Sequence, residues 1–316
     1  MRTLLLLTGL MLVTACSLDP TKKAFNDPGE ALEKLDGPKV EGMSATLERS
    51  AEDSLEKGEP RRAAQFYKQL YDMPKIDEKT KNSYAIGLAE SMRRGGEISG
   101  SMKYLQEVLK KDPDNVEALE GMGLTLLADG KSVEAGRTFE KVMKIDATRW
   151  RTLNALGILF TTKNMLPEAN AYFTEALKYS ADNPTVLNNV GLTYATERKF
   201  DKAVEAFEQA SRFANGNTQR KRQIDLNMAM VYGIAGDYDR AKDIASRYLK
   251  GPALDNNLGL YAHLANNDDL ARAYLNTALS GSPTHYERAW KNLEIVTEES
   301  KGGNAPSKAK SVKVTQ

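Results

Sequence analysis

The sequence predicts an all-α fold, a right-handed α-solenoid of about seven helix-turn-helix units followed by a C-terminal capping helix. The first observation is a set of apolar and small residues that recurs 34 residues later in the same size classes. The second is a glycine or asparagine where nearly every unit needs a tight turn. The recurring set is Trp150, Leu153, Leu156, Gly157, Phe160, Ala169, Phe173 and Ala176, followed by Pro184, Leu187, Val190, Gly191, Tyr194, Ala203, Phe207 and Ala210.

The period of 34 residues resembles the tetratricopeptide repeat (TPR), in which two helices pack through a tight turn. Leu153, Leu156 and Gly157 lie on one helical stripe, because they follow the spacing of a single helix face. Gly191 is expected to let the paired helix approach closely, with Phe207 filling the space beyond. A stack of such units buries a continuous core, since each unit contacts its neighbours.

Projecting this register in both directions defines the remaining units and the cap. The cap, at 286–299, is expected to cover the last apolar face with Trp290, Leu293 and Val296. The predicted units lie near 44–81, 82–115, 116–149, 150–183, 184–221, 222–251 and 252–285.

The turns between paired helices test the register independently, because a helix often ends with a left-handed residue, most often glycine. Arg198 is the exception at this position, so we expect a different turn geometry there. The predicted turn residues are Gly58, Gly96, Gly130, Asn164, Arg198, Gly236 and Asn266.

The N-terminus predicts a membrane-anchored lipoprotein. An apolar run within 1–15 has the length of a signal peptide and is too short for a transmembrane helix. The residues before Cys16 resemble a bacterial lipobox, which implies a lipidated Cys16 at the new N-terminus, and Ser17 after it implies the outer membrane. The alternative is an ordinary signal peptide with a chance cysteine.

Residues 16–43 are predicted to form a flexible tether and 300–316 a disordered, Lys-rich tail.

Composition and motifs argue against nucleic-acid binding and catalysis. The 44 Lys and Arg residues are balanced by 43 Asp and Glu residues, so no broad basic surface is predicted. Metal-binding, phosphate-binding and nucleophile motifs are absent from the sequence. His263 and His285 have no nearby cysteine and are predicted to be surface or groove residues. We therefore predict a protein without catalytic residues, metal or cofactor.

The first helix of each pair is expected to line a groove through its second, fifth, ninth and twelfth positions. Asn154, Asn188 and Asn256 stand at the fifth position, where amides can donate to and accept from an extended peptide. Alternatively, these amides, like Asn189, Asn227 and Asn257 beside them, satisfy backbone groups between repeats. The candidate groove residues are Glu117, Glu120, Leu124, Arg151, Asn154, Ile158, Asn188, Leu192, Met230, Asn256 and Leu260.

A narrower resemblance lies in the segment Arg222 to Leu249, which reads RQIDLNMAMVYGIAGDYDRAKDIASRYL. Together with the lipobox and linker, it is similar to the TadD-type lipoproteins of the tight-adherence (Flp) pilus machinery. The resemblance implies an outer-membrane protein that faces the periplasm, binds protein partners in pilus biogenesis, and aids assembly or localisation of the secretin ring. The alternative is a TPR lipoprotein that recruits peptidoglycan hydrolases or outer-membrane assembly factors.

Overall fold

A computed structural model describes residues 37–214, 216–282 and 286–302, with side chains from 42 to 299. These residues form helices joined by short turns, and no strand occurs among them, which confirms the predicted all-α class. The helices are α1 (Gly37–Glu56), α2 (Pro60–Tyr71), α3 (Glu78–Arg94), α4 (Ile98–Lys111), α5 (Val116–Ala128), α6 (Ser132–Ile145), α7 (Trp150–Thr162), α8 (Leu166–Tyr179), α9 (Pro184–Thr196), α10 (Phe200–Phe213), α11 (Thr218–Ile234), α12 (Tyr238–Ser246), α13 (Pro252–Leu264), α14 (Asp268–Ser280) and α15 (Glu287–Gly302).

The chain divides into two compact units, and α8 contributes residues to both. Within its described part, the amino-terminal unit holds α1 to α7, and each helix packs against the next. Leu88, Leu105 and Val108 are buried at its centre, and Tyr67 and Met122 pack against them. A continuous core between successive helix pairs is what the apolar stripe predicts.

The carboxy-terminal unit holds α9 to α15 and is built in the same way. Phe207 of α10 is fully buried, and a Cβ atom added at Gly191 of α9 would lie 2.8 Å from its ring. The predicted close approach at Gly191 is therefore confirmed. Nearer the carboxyl end, Leu275 and Val296 are buried in one cluster with alanines of α13 and α14.

All seven predicted turn residues have a positive φ, and Arg198 is among them at 57°. The N–H of Arg198 donates to the carbonyl of Ala195 at 3.0 Å, and the N–H of Lys199 donates to that of Tyr194 at 2.9 Å. The same pair of bonds closes the turn at Gly130. The expectation of a different turn at Arg198 is thus wrong, because these bonds to the last carbonyls outweigh the cost of a left-handed arginine.

The capping helix α15 buries a different stripe from the one predicted. Ala289 and Val296 are 0% and 2% exposed, whereas Trp290 is 54% exposed, so Trp290 does not belong to the inner stripe. Leu293 packs against the cluster of Leu275, as expected. The predicted stripe is wrong by one residue at its start, because α15 turns the small Ala289 towards its neighbours and leaves the indole outside.

The structure begins inside the segment predicted as a tether, since α1 starts at Gly37. Pro38 is compatible with this start, because a proline in the first helical turn gives up no hydrogen bond. The signal peptide, Cys16 and the tail from 303 onward lie outside the described residues. None of the described helices combines the length and apolar character that crossing a bilayer requires.

Candidate peptide-binding surface

A cavity of about 180 Å³ opens beside the first helices of three successive pairs in the amino-terminal unit, α3, α5 and α7. Four of the predicted groove residues lie in its wall, namely Glu117, Glu120, Leu124 and Arg151. The structure therefore brings these four together in one place. The complete lining is Ile86, Glu90, Leu105, Glu117, Glu120, Gly121, Leu124, Thr125, Arg149 and Arg151.

Glu120 forms the buried part of the wall, and its residue exposure is 3%. The Nη2 of Arg149 donates to its Oε2 at 2.7 Å, and the hydroxyl of Thr152 donates to its Oε1 at 3.0 Å. The hydrogen bond to Glu120 raises the pKa of Arg149 above its ordinary value, although desolvation opposes this. The pair joins α5 to the start of α7 and gives the buried carboxylate of Glu120 a cationic partner.

Glu90 of α3 is a wall residue that the sequence analysis did not single out. Arg93 donates two hydrogen bonds from Nη2, each 2.7 Å long, to its two oxygens. Burial raises the pKa of Glu90, but the charge and hydrogen bonds of Arg93, with a smaller contribution from Arg151, hold the pKa below its usual value. Glu90 and Ile86 occupy the ninth and fifth positions of 82–115, so extending the groove register by one unit would have found both.

Arg151 and Glu117 lie at the exposed edge of the cavity. The guanidinium of Arg151 lies 5.6 Å from the centre of the Trp150 ring, a cation–π distance. Among the residues that the structure describes, no carboxylate lies within 4.0 Å of that guanidinium, and no cation lies within 4.0 Å of the Glu117 carboxylate. Both charges are therefore open to a ligand at the edge.

The fifth-position asparagines of the carboxy-terminal unit bond to the next first helix. The Nδ2 of Asn227 donates to the Oδ1 of Asn188 at 2.8 Å, and the Nδ2 of Asn292 donates to the Oδ1 of Asn256 at 2.9 Å. Asn256 is 3% exposed, while Asn188 is half-buried. These bonds join side chains and not the backbone groups that the alternative supposed, and a peptide would have to share the amides with them.

The remaining groove candidates differ in how far they reach the surface. Leu192 and Met230, at the ninth position, are buried at 2% and 1% exposure. Ile158 and Leu260, at the same position, are half-buried. Asn154 is 9% exposed. A ligand would thus touch Ile158 or Leu260 directly, whereas Leu192 and Met230 support the surface from beneath.

The neighbouring asparagines bond in two ways. Asn257 donates from its Nδ2 to the carbonyl of Ala253 in its own helix at 2.8 Å, so it satisfies a backbone group as the alternative supposed, although not between repeats. Asn189 offers its Oδ1 to Asn188 at 3.5 Å. The amides of this surface are therefore engaged with one another as well as with the backbone.

His263 is buried and not a surface or groove residue, which corrects the expectation for it. Its exposure is 2%, and its Nδ1 lies 2.8 Å from the Oδ1 of Asp268. The twelfth position of its helix turns inward towards the first residue of α14, which explains the difference. His285 lies outside the described residues. In the part of the chain that the structure describes, no group of three or more potential ligands is arranged to hold a metal ion.

Comparison with known proteins agrees with this architecture. Residues 86–148 and 155–218 match the model of the tetratricopeptide repeat family. No curated protein matches the chain in sequence. Among solved structures, the chain is similar to a tetratricopeptide repeat protein from Parabacteroides merdae, at a TM-score of 0.51 and 14% identity over 81% of this chain and 99% of that one.

Two further solved structures share the fold. Pseudomonas aeruginosa pilF matches at a TM-score of 0.51 and 18% identity, over 69% of this chain and 97% of that chain. The structure of the APC/C hetero-tetramer Cut9-Hcn1 matches at a TM-score of 0.56 and 15% identity, over 85% of this chain and 58% of that chain. At these identities the likeness concerns the fold alone, a stack of helical repeats. The paired helices and the matched segments together identify residues 86–148 and 155–218 as tetratricopeptide repeats.

Proposed function

We propose that the protein is an outer-membrane lipoprotein that acts as a binding scaffold in biogenesis of the tight-adherence (Flp) pilus. In this role it holds pilus assembly components, above all the secretin, and aids their assembly or localisation. The observation that carries the membrane part is Cys16, the one cysteine of the sequence, placed directly after a signal-like apolar run. The similarity of Arg222 to Leu249 to the TadD-type lipoproteins supports the pilus part.

The proposed mechanism is tethering. Lipid chains on Cys16 would hold the protein at a membrane surface, because each buried methylene contributes about 0.8 kcal/mol. Confinement to that surface raises the effective concentration of the repeats near a membrane-bound partner without any additional contact. The charged cavity beside α3, α5 and α7 and the half-buried Ile158 offer a binding surface in the amino-terminal unit.

The test is crosslinking followed by pull-down from intact cell envelopes, with wild type compared with Cys16→Ala. The variant keeps the repeats but loses the lipidation site, so we expect secretin to be recovered with wild type and several-fold less with Cys16→Ala. Thermal unfolding of the purified repeats from both proteins is the control that folding is unchanged. If neither form recovers secretin, the pilus proposal fails, and recovery of cell-wall hydrolases in its place would favour the alternative.

A further inference from the structure

We propose that the cavity beside α3, α5 and α7 takes a lysine or arginine side chain of the bound partner. This inference rests on the proposed role of the repeats in binding protein, and it names the chemistry that the amino-terminal unit selects. It is carried by the balance of charges in the wall, by the apolar residues between them, and by the size of the cavity.

The wall holds more negative than positive charge. Three carboxylates line the cavity, those of Glu90, Glu117 and Glu120, against the two guanidinium groups of Arg149 and Arg151. Arg149 is already engaged by Glu120 through the 2.7 Å bond. Glu90 is also paired, with Arg93 at 2.7 Å, but Arg93 lies outside the lining. The lining charges that face a ligand are therefore the carboxylates of Glu90 and Glu117 and the guanidinium of Arg151, a balance that favours a cation over an anion.

Glu90 remains a usable acceptor although it is paired. A carboxylate offers about four lone-pair sites, and Arg93 occupies part of them from outside the lining. The pKa of Glu90 lies below its ordinary value, because the charge and hydrogen bonds of Arg93 outweigh the opposing effect of burial. Glu90 thus stays ionised and presents a negative charge to the cavity, while Glu117 presents a second one at the edge.

The apolar part of the wall matches the stem of a basic side chain. Ile86, Leu105 and Leu124 line the cavity between the charged groups. Lysine and arginine bury their methylene stems against apolar surface and keep the charged end with polar partners. A volume of about 180 Å³ is many times the ~10–15 Å³ that one water molecule needs, which is room for one long side chain.

Arg151 tests which sign of charge the cavity binds, because it opposes a basic ligand and favours an acidic one, whereas the other wall guanidinium, Arg149, is paired with Glu120. Its guanidinium stacks on Trp150 and has no carboxylate within 4.0 Å among the described residues. Removing this charge should strengthen the binding of a cation and weaken the binding of an anion. The two ligand classes therefore predict opposite effects of a single substitution.

The experiment is methyl NMR on the full chain, titrated separately with the Nα-acetyl amides of lysine, arginine, norleucine and glutamate. We expect saturable shifts of the methyl groups of Ile86, Leu105 and Leu124 with the lysine and arginine compounds. The norleucine compound has a similar stem without the ammonium, so it should bind more weakly. Preferential binding of the glutamate compound, or no shift of these methyl groups with any compound, would overturn the inference.

Three variants complete the test. Glu117→Gln should lower the affinity for the lysine compound about two- to five-fold, and Arg151→Gln should raise it by a similar factor. Glu134→Gln, an exposed change in α6 away from the lining, should leave the affinity unchanged. Weaker binding of the lysine compound to Arg151→Gln would contradict the assignment. The pull-down of secretin is a separate measurement, so loss of the pilus role and loss of this pocket are distinguished.

Discussion

At the scale of single residues, the ion pair of Glu120 and Arg149 is asymmetric in its surroundings. The Glu120 side chain is 4% exposed and the Arg149 side chain 29%. If the arginine is removed, a carboxylate stays in the buried wall with the hydroxyl of Thr152 as its remaining partner in the pair's network. If the carboxylate charge is removed, the guanidinium still reaches water. The two halves of the pair should therefore differ in their effect on stability.

We expect Arg149→Ala to lower the free energy of unfolding by about 3 kcal/mol, because an uncompensated buried charge is costly. Glu120→Gln should lower it by about 1 kcal/mol, because the amide keeps the bond to Thr152 and the arginine turns to solvent. Urea unfolding at neutral pH measures both values. Equal losses, or a larger loss for Glu120→Gln, would contradict the assigned burial.

Glu90 should make stability depend on pH in the acidic range. The pKa of Glu90 is lower in the folded protein than its ordinary value, because Arg93 outweighs the effect of burial. Its contribution to the free energy of unfolding is therefore complete above the unfolded-state pKa of about 4.3. That contribution is lost as the pH falls through the folded pKa. Between about pH 6 and pH 3, wild type should lose more unfolding free energy than Glu90→Gln. Glu134→Gln serves as an exposed control that should follow wild type, and parallel curves for all three proteins would refute the effect.

At the scale of elements, close packing of paired helices depends on glycine at specific places. A Cβ atom at Gly191 would meet the Phe207 ring at 2.8 Å, whereas one at Gly136 would find its nearest neighbour, Leu159, at 3.9 Å. Gly191→Ala should therefore destabilise by about 1–3 kcal/mol. Gly136→Ala should stabilise by about 0.5–1 kcal/mol, because alanine loses less backbone entropy in a helix. Chemical denaturation of both variants measures the change in the free energy of unfolding. Changes of the same sign in the two variants would contradict the packing described at these glycines.

The turn after α9 offers a second test at this scale. Arg198 has a φ of 57°, a region that costs side-chain-bearing residues about 1–2 kcal/mol and glycine very little. Arg198→Gly and Arg198→Ala both lose the contact of the guanidinium with the Phe200 ring. Because only glycine relieves the backbone cost, Arg198→Gly should be about 0.5 kcal/mol more stable than Arg198→Ala after the greater flexibility of glycine in the unfolded chain is counted. Arg198→Ala keeps the backbone cost, so it should bring no gain. Equal stability of the two variants would argue against the left-handed turn.

The helix pairs could be predicted from the sequence because the positions that must be apolar or small recur every 34 residues. The prediction failed where contacts that the repeat pattern does not encode determine the structure. Arg198 adopts the turn because hydrogen bonds close it, and Trp290 lies outside because Ala289 fits the contact better. Two features of the cavity were not predicted: Glu90 of the preceding unit lines it, and Glu120 pairs with Arg149. A pattern of residues does not show which charged side chains pair with each other.

At the scale of the whole molecule, function depends on where the repeats are held as well as on what they bind. The proposed lipid on Cys16 predicts a simple change in distribution. Cys16→Ala should deplete the protein from the outer-membrane fraction, because the variant lacks the side chain that would carry the lipid. Fractionation with immunoblotting measures this. A variant that remains in the outer-membrane fraction after a salt wash would contradict anchoring through Cys16.

The central claim is that the protein binds a pilus component through the cavity surface. The direct measurement is photocrosslinking in intact cells, with a photoreactive residue placed at Arg151 on the cavity edge and, as a control, at Val133, which is 68% exposed and outside the lining. We expect a secretin adduct from position 151 and none from position 133. Adducts of equal yield from both positions, or none from position 151, would contradict it.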